Sequence, residues 1–371
     1  MDEEIPLASS TFSEEAIRAA ADVLRSGWSG PGSEVGAFER ELAARVGASF
    51  AVATGSATDA LQIAVTLADL PVGAEVITTP NTFVSTNHVL LWAGLVPVFA
   101  DIETHTGNID VDSIAAQITE ATRAIMVVHY AGYPCDLDGV YELARRHELV
   151  VIEDGAHALG ASYRGRPIGS HGGLCAFSFQ STKNLSTVDG GALMIGDGEL
   201  AARARRLRWM GIDADTYERH TETGYHWEYD VAEVGFRSTM SDLNAAIGRA
   251  GLSTLDAGNA RRAEIADRYR AGLATLDGVE PMRHDKDRIS AHYLFAVTFE
   301  EGRDRVLAHL RDHGVGAGVH YKANDRYPVY KPAYLPAAHW FADHVLSLPM
   351  HIDLRDDQVD RVIELVTEVL T

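Results

Sequence analysis

The chain has 371 residues, long enough for two domains, and its apolar fraction of 46% is that of a globular protein with a sizeable core. A formal net charge of −21 argues against nucleic acid as a partner, although an anionic small molecule needs only a local cluster of donors. The two cysteines, Cys135 and Cys175, make neither a disulfide framework nor a zinc spacing, so no metal and a reducing, cytoplasmic setting are expected; residues 1–7 lack a signal-peptide pattern, and no apolar run is long enough to span a bilayer.

Ser13, followed by Glu14 and Glu15, predicts a capped helix that stops at Ser26 and Gly27. Trp28–Gly32 is a glycine-rich loop, Val35–Val46 an amphipathic helix and Phe50–Ala53 a short strand. The small polar residues Thr54–Asp59 then turn the chain into a helix that runs to about Ala68. Free amides at a helix N-terminus beside hydroxyls suit a phosphate, and the same residues equally suit a plain helix cap. From Glu75 to Glu153 strands and helices alternate: strands at 75–79, 96–100, 123–130 and 149–153, and helices ending near Gly94, Ile118 and His147. That alternation predicts a mostly parallel sheet covered on both faces, with ligands at the carboxyl ends of its strands.

Asp154 ends the apolar run Leu149–Ile152, where a carboxylate is costly unless paired. It fits either the cap of the next turn or the partner of a protonated ring nitrogen, with His157 close behind it. Leu174–Phe179 is a second buried run. It leads into a polar turn with one lysine, Lys183, and returns through Asp189–Ala192. A partly desolvated amine at the end of a buried strand is suited to attack an aldehyde. Gly198–Met210 is an arginine-rich helix, read as a solvated face or an interface. Ile212–Val234, with Tyr217, Tyr225, Trp227 and Tyr229, is irregular and suits an interface or a ligand pocket. Ser241 caps a helix to about Leu255, and Asn259–Leu276 is a long helix near the domain boundary. The remainder reads as a small α+β unit with strands Tyr293–Phe299 and Val315–His320 and helices 303–313, 335–346 and 356–370. Its loop His320–Pro328 gathers donors and aromatics suited to a phosphorylated or glycosidic ligand, or is simply a polar surface loop.

Together these elements resemble the DegT-type sugar aminotransferases, pyridoxal-phosphate enzymes of fold type I. The resemblance is carried in order by Ile5–Leu7, Val23–Trp28, Ser56–Leu61, Thr79–Thr86, Glu153–Gly160, Phe177–Leu185, Asp189–Ala192, Met240–Gly248 and Gly318–Tyr321. It implies a large α/β domain, residues 1–255, with a mostly parallel seven-stranded sheet, and a small C-terminal α+β domain, residues 256–371. It implies that Lys183 carries the cofactor's aldehyde as a Schiff base and that Asp154 partners the pyridine nitrogen. Ala57, Thr58 and Ser178 would hold the phosphate, Phe83 would stack on the ring, and His157 would lie near the ring hydroxyl. Trp28, His320, Tyr321 and Lys322 would meet a nucleotide-linked keto-sugar, L-glutamate would donate the amino group, and two subunits would share the site.

One stretch departs from the family pattern. At Gly235–Met240 the usual asparagine, which reaches the neighbouring subunit's phosphate, is replaced by Arg237, a cation that serves a phosphate at least as well. Thr239 replaces an arginine, and nothing in the sequence accounts for that. Rival readings on the same scaffold are a cyclitol or carbocyclic ketone aminotransferase, a dehydratase (against which Lys183 argues), a cysteine desulfurase, and a non-catalytic binder of cofactor or sugar nucleotide.

Overall fold

The computed structural model describes residues 4–213, 220–221, 224–225, 228–283 and 285–370. Seven strands form the large sheet: β1 Phe50–Thr54, β2 Glu75–Thr78, β3 Val96–Phe99, β4 Thr122–Val128, β5 Val150–Asp154, β6 Leu174–Ser178 and β7 Gly191–Ile195. Their order is β1-β7-β6-β5-β4-β2-β3. Neighbours from β6 through β3 are parallel, and β7 runs antiparallel to both β1 and β6. The order doubles back between β2 and β4, with β3 on one side of β2 and β4, β5 and β6 following on the other; β5 and β6 are adjacent and parallel, so their carboxyl ends open on the same edge of the sheet.

Period-two alternation assigns side chains to the two faces. Val52, Ile152, Ala176 and Leu193 pack on one face against Leu61 and Ala64 of the helix Ala57–Leu67. Ala51, Cys175, Phe177 and Met194 pack on the other against Phe38 and Leu42 of the helix Ser33–Val46. Cys135 and Cys175 are both free and buried. The expected caps hold: Ser13 Oγ accepts the Ala16 amide and Ser241 Oγ accepts the Asn244 amide, each at 3.1 Å.

Three expectations are corrected. The helix read to Leu346 ends at His344; Val345–Leu348 is a buried strand, β9, paired antiparallel with β8, Phe295–Phe299. Val315–His320 is not a strand but is held by single bridges, Ile5 to Val315 and Gly318 to Ser347. Gly316 and Gly318 supply no side chain to pack there, which weakens a strand. The arginine-rich helix, Gly198–Leu207, is not a merely solvated face. Arg205 and, just beyond its end, Arg208 both bind the buried Glu39, and Arg208 also donates to the Ala53 carbonyl at 2.8 Å. Of the aromatics expected between Ile212 and Val234, Tyr217 and Trp227 lie outside the described residues. Among the described residues no helix is long and apolar enough to cross a membrane.

Candidate active site

A cavity of about 850 Å³ opens where β1, β5 and β6 end, and the later loop 319–327 closes its far wall. Asp154, the last residue of β5, and Ser178, the last of β6, both line it. Lys183 follows in a tight turn, its amide donating to the Gln180 carbonyl at 2.8 Å. The turn is braced by Gln180 Oε1, which accepts the Thr182 amide at 3.0 Å and the Thr182 hydroxyl at 2.8 Å.

The opposite end of the cavity is built for an anion. Ser56, Ala57 and Thr58 line it at the start of the helix Ala57–Leu67, where free amides and the helix dipole favour negative charge. Ser56 caps that helix, its Oγ accepting the Asp59 amide at 3.1 Å. The turn lies directly on β7: a Cβ at Gly191 would stand 2.4 Å from the Ser56 carbonyl carbon and 2.5 Å from the Ala57 nitrogen. Only glycine lets the strand pass so close.

The charged groups are tuned mainly by burial. Burial pushes the Asp154 carboxyl above its usual range, opposed by hydrogen bonds from Thr86 and the Ala156 amide and by the charge of Lys183. Burial, then the Lys183 charge, push His157 well below the usual imidazole value, so the ring is neutral at pH 7. The same two causes bring His320 down to about 4. Tyr321 OH and His157 Nε2 are 3.2 Å apart, and His157 Nδ1 is buried with no hydrogen-bond partner among the described residues.

Behind Asp154 lies a second buried carboxylate. Glu153 is fully buried, 3.0 Å from His129 Nε2 and 2.6 Å from the Tyr141 hydroxyl. His129 Nδ1 accepts the Cys135 amide at 3.1 Å, so Nε2 carries the proton and donates to Glu153. Burial alone would raise the Glu153 carboxyl, but His129 and Tyr141 hold it below its usual range.

Of the residues singled out in the sequence, the structure brings Ala57, Thr58, Phe83, Asp154, His157, Ser178, Lys183, His320, Tyr321 and Lys322 to this one cavity. Two stand apart within the chain. Arg237 is exposed, its guanidinium 4.1 Å from the centroid of the Trp209 ring. Trp28 folds back on its own loop, donating to the Pro31 carbonyl at 3.1 Å. The roles of Tyr293, Thr86 and Gly191 emerge only from the structure, although Gly191 lies in the run Asp189–Ala192 noted above. Thr86 falls inside a stretch already singled out, whereas Tyr293 opens an ordinary apolar run and has no local signal.

The residues fit pyridoxal phosphate: an amine for its aldehyde, a buried carboxylate for its ring nitrogen, an anion seat for its phosphate, and an unpartnered imidazole nitrogen in the same cavity. The chain matches the DegT/DnrJ/EryC1/StrS aminotransferase family over residues 10–367. It is 38% identical to the spore coat polysaccharide biosynthesis protein SpsC of Bacillus subtilis, over 99% of this chain and 97% of that one. Among solved structures it is similar to the sugar aminotransferase CalS13 from Micromonospora echinospora, at 34% identity and a TM-score of 0.91, covering 98% of this chain and 99% of that one. It is also similar to the PLP-form of Spr1654 from Streptococcus pneumoniae, at 29% identity and a TM-score of 0.92 over 100% of both chains.

Proposed function

The chain belongs to the DegT/DnrJ/EryC1/StrS aminotransferase family, whose enzymes are pyridoxal-phosphate-dependent, and is a sugar aminotransferase; on that footing we propose that it binds pyridoxal phosphate and moves an amino group from L-glutamate to a keto-sugar carried on a nucleoside diphosphate. The observation that carries the cofactor and the residue roles is the meeting of Lys183, Asp154 and the Ser56–Thr58 turn in one cavity.

Bound pyridoxal phosphate supplies an electron sink for the pair of electrons left at the amino-bearing carbon. Lys183 Nζ would hold the cofactor's aldehyde and, when free, would carry a proton to and from the reacting carbon. Asp154 would hold a positive charge at the ring nitrogen. Ala57, Thr58 and Ser178 would seat the phosphate, Phe83 would cover a ring face, and neutral His157 would offer its unpartnered Nδ1 to the ring. His320, Tyr321 and Lys322 line the side from which the sugar enters. Trp28 and Arg237, turned away from their own chain's cavity, suit a site completed by a second subunit, Arg237 reaching the partner's phosphate. A homodimer, a cytoplasmic location and a division into domains at residues 1–255 and 256–371 belong to the same proposal. The domain division is supported by a separate apolar core, in which Ile265, Tyr269, Val297, Leu346 and Val362 pack together.

The test is the visible spectrum of the purified protein with pyridoxal phosphate, before and after L-glutamate, then borohydride reduction and peptide mapping. A band that shifts with glutamate and a reduced adduct on Lys183 support the reading. Absence of any adduct on Lys183 overturns it. Binding of a nucleoside diphosphate alone separates the nucleotide-sugar reading from a carbocyclic ketone, whose enzyme has no site for it.

A further inference from the structure

Asp154 is joined to the loop that carries Phe83 by a chain of two hydroxyls. Thr86 Oγ1 lies 2.7 Å from Asp154 Oδ2, and Thr82 Oγ1 lies 2.7 Å from Thr86 Oγ1. All three residues are buried, Thr86 completely. An ionised carboxylate only accepts, so Thr86 must donate to Asp154. The single Thr86 proton is then committed, and Thr82 must donate to Thr86. The chain therefore has one direction while Asp154 is charged: Thr82 to Thr86 to Asp154. The other carboxylate oxygen, Oδ1, accepts the Ala156 amide at 3.0 Å.

The helix Ser85–Trp92 does not depend on this contact for its place. The next residue, Asn87, accepts from the Thr78 hydroxyl at 3.0 Å and donates to the Thr79 carbonyl at 3.1 Å. Thr86 is thus free to serve Asp154 while Asn87 anchors the turn to the end of β2.

We propose that Thr86 is a positioning residue that holds the Asp154 carboxylate charged and aimed at the cofactor's ring nitrogen, with Thr82 orienting the Thr86 hydroxyl. The proposal rests on reading Asp154 as the partner of that nitrogen. Burial works against the charge on Asp154, and the Thr86 hydroxyl is the foremost opposing contact, ahead of the Ala156 amide and the Lys183 cation. The other groups that feel this carboxylate are His129, the Tyr321 hydroxyl and the Cys175 thiol. Thr86→Val keeps the shape and removes the donor. Losing a hydrogen bond to a charged group shifts the ionisation balance by about ten- to hundredfold.

The experiment loads wild type, Thr86→Val, Thr86→Ser and Thr82→Val with pyridoxal phosphate labelled with 15N in the ring. The 15N chemical shift is followed against pH with no amino donor present. Wild type and Thr86→Ser should keep the nitrogen protonated through neutral pH. Thr86→Val should lose that proton at a pH about one to two lower, and Thr82→Val should move the same way by less. Superimposable titrations of Thr86→Val and wild type overturn the proposal, as does an unprotonated nitrogen in wild type. Should Thr86→Val fail to fold, a Thr82→Val titration that coincides with wild type overturns it. A parallel stopped-flow measurement of the glutamate half-reaction should slow about ten- to hundredfold in Thr86→Val and recover in Thr86→Ser. If no protein reacts with glutamate while the 15N titrations order as stated, the donor reading fails and the role of Thr86 stands.

Discussion

The Lys183 amine lies over the face of the Tyr293 ring, 3.9 Å from its centroid. Tyr293 in turn stacks on His157, centroids 4.3 Å apart, and its hydroxyl lies 3.1 Å from Thr182 Oγ1. A ring face attracts an ammonium, by about 0.5 to 2 kcal/mol depending on desolvation. Tyr293 therefore offers the amine a resting place whenever it is not bonded to the cofactor. Tyr293→Leu should slow the single-turnover reaction with an amino donor by about three- to thirtyfold, and Tyr293→Phe, which keeps the face, should stay near wild type. Equal losses in the two variants would assign the effect to the Thr182 hydrogen bond instead.

Asp154 opposes stability to function. Its folded pKa is raised, chiefly by burial, so the folded state binds the proton more tightly than the unfolded chain does. Stability of the cofactor-free protein therefore falls as pH rises from the ordinary carboxylate value through the raised one. Asp154→Asn removes that charge, and the Thr86 hydroxyl can turn to accept from the new amide. Calorimetry on the cofactor-free protein at pH 7 should give a higher Tm for Asp154→Asn, and the gap should close as pH is lowered. The same variant should lose about a hundredfold or more in transfer rate, the scale of an electrostatic contact at a reacting centre. A lower Tm at pH 7 would mean that Asp154 is held by attraction rather than against burial.

The Glu153–His129 pair carries the opposite sign. Glu153 is held below its usual range by His129 and Tyr141 despite full burial. Its contribution is present above the unfolded carboxylate value and is lost as pH falls through the depressed folded one. His129→Ala leaves that carboxylate with Tyr141 as its remaining side-chain partner, and losing a hydrogen bond to a buried charged group costs about 1.5–3 kcal/mol. Urea denaturation at pH 7 should show this loss with no change in slope. Its size should shrink toward low pH, where Glu153 is protonated. A loss that does not depend on pH would make the effect one of packing alone.

Much of the site was readable because its chemistry sits where buried strands end. Leu149–Ile152 and Leu174–Phe179 are apolar runs of strand length, so Asp154 and Lys183 stand out as polar residues at their tips. The seat at Ser56–Thr58 lies in a run of small residues, Thr54–Asp59, rich in helix-capping types. Tyr293 and Gly191 matter through contacts across more than a hundred residues, and His129 through Glu153 on the next strand, pairings that local pattern does not encode even where, as in Asp189–Ala192, the stretch itself stands out. In the small C-terminal unit the apolar pattern of Leu335–Leu346 continues smoothly across a change from helix to strand. What ends the helix at His344 is the pairing of Val345–Leu348 with Phe295–Phe299, a tertiary demand that propensity does not encode.

Gly191 tests the anion seat without touching any titrating group. It pairs with Thr54 across β1 and β7 and passes beneath the Ser56–Ala57 peptide. A methyl group there would need the Ser56–Ala57 backbone to retreat, since 2.4 Å to a carbonyl carbon is far inside contact distance. Gly191→Ala should cost about 1–3 kcal/mol through overpacking and should push the turn out of register with Ser178. Affinity for pyridoxal phosphate should fall about tenfold or more, because amides that no longer converge lose part of a charge-assisted contact. Affinity for pyridoxal, which lacks the phosphate, should change far less. Spectroscopic titration of both compounds against wild type and Gly191→Ala reads this difference. A variant that loses both equally would place the damage at Lys183 or in the fold as a whole rather than at the phosphate seat.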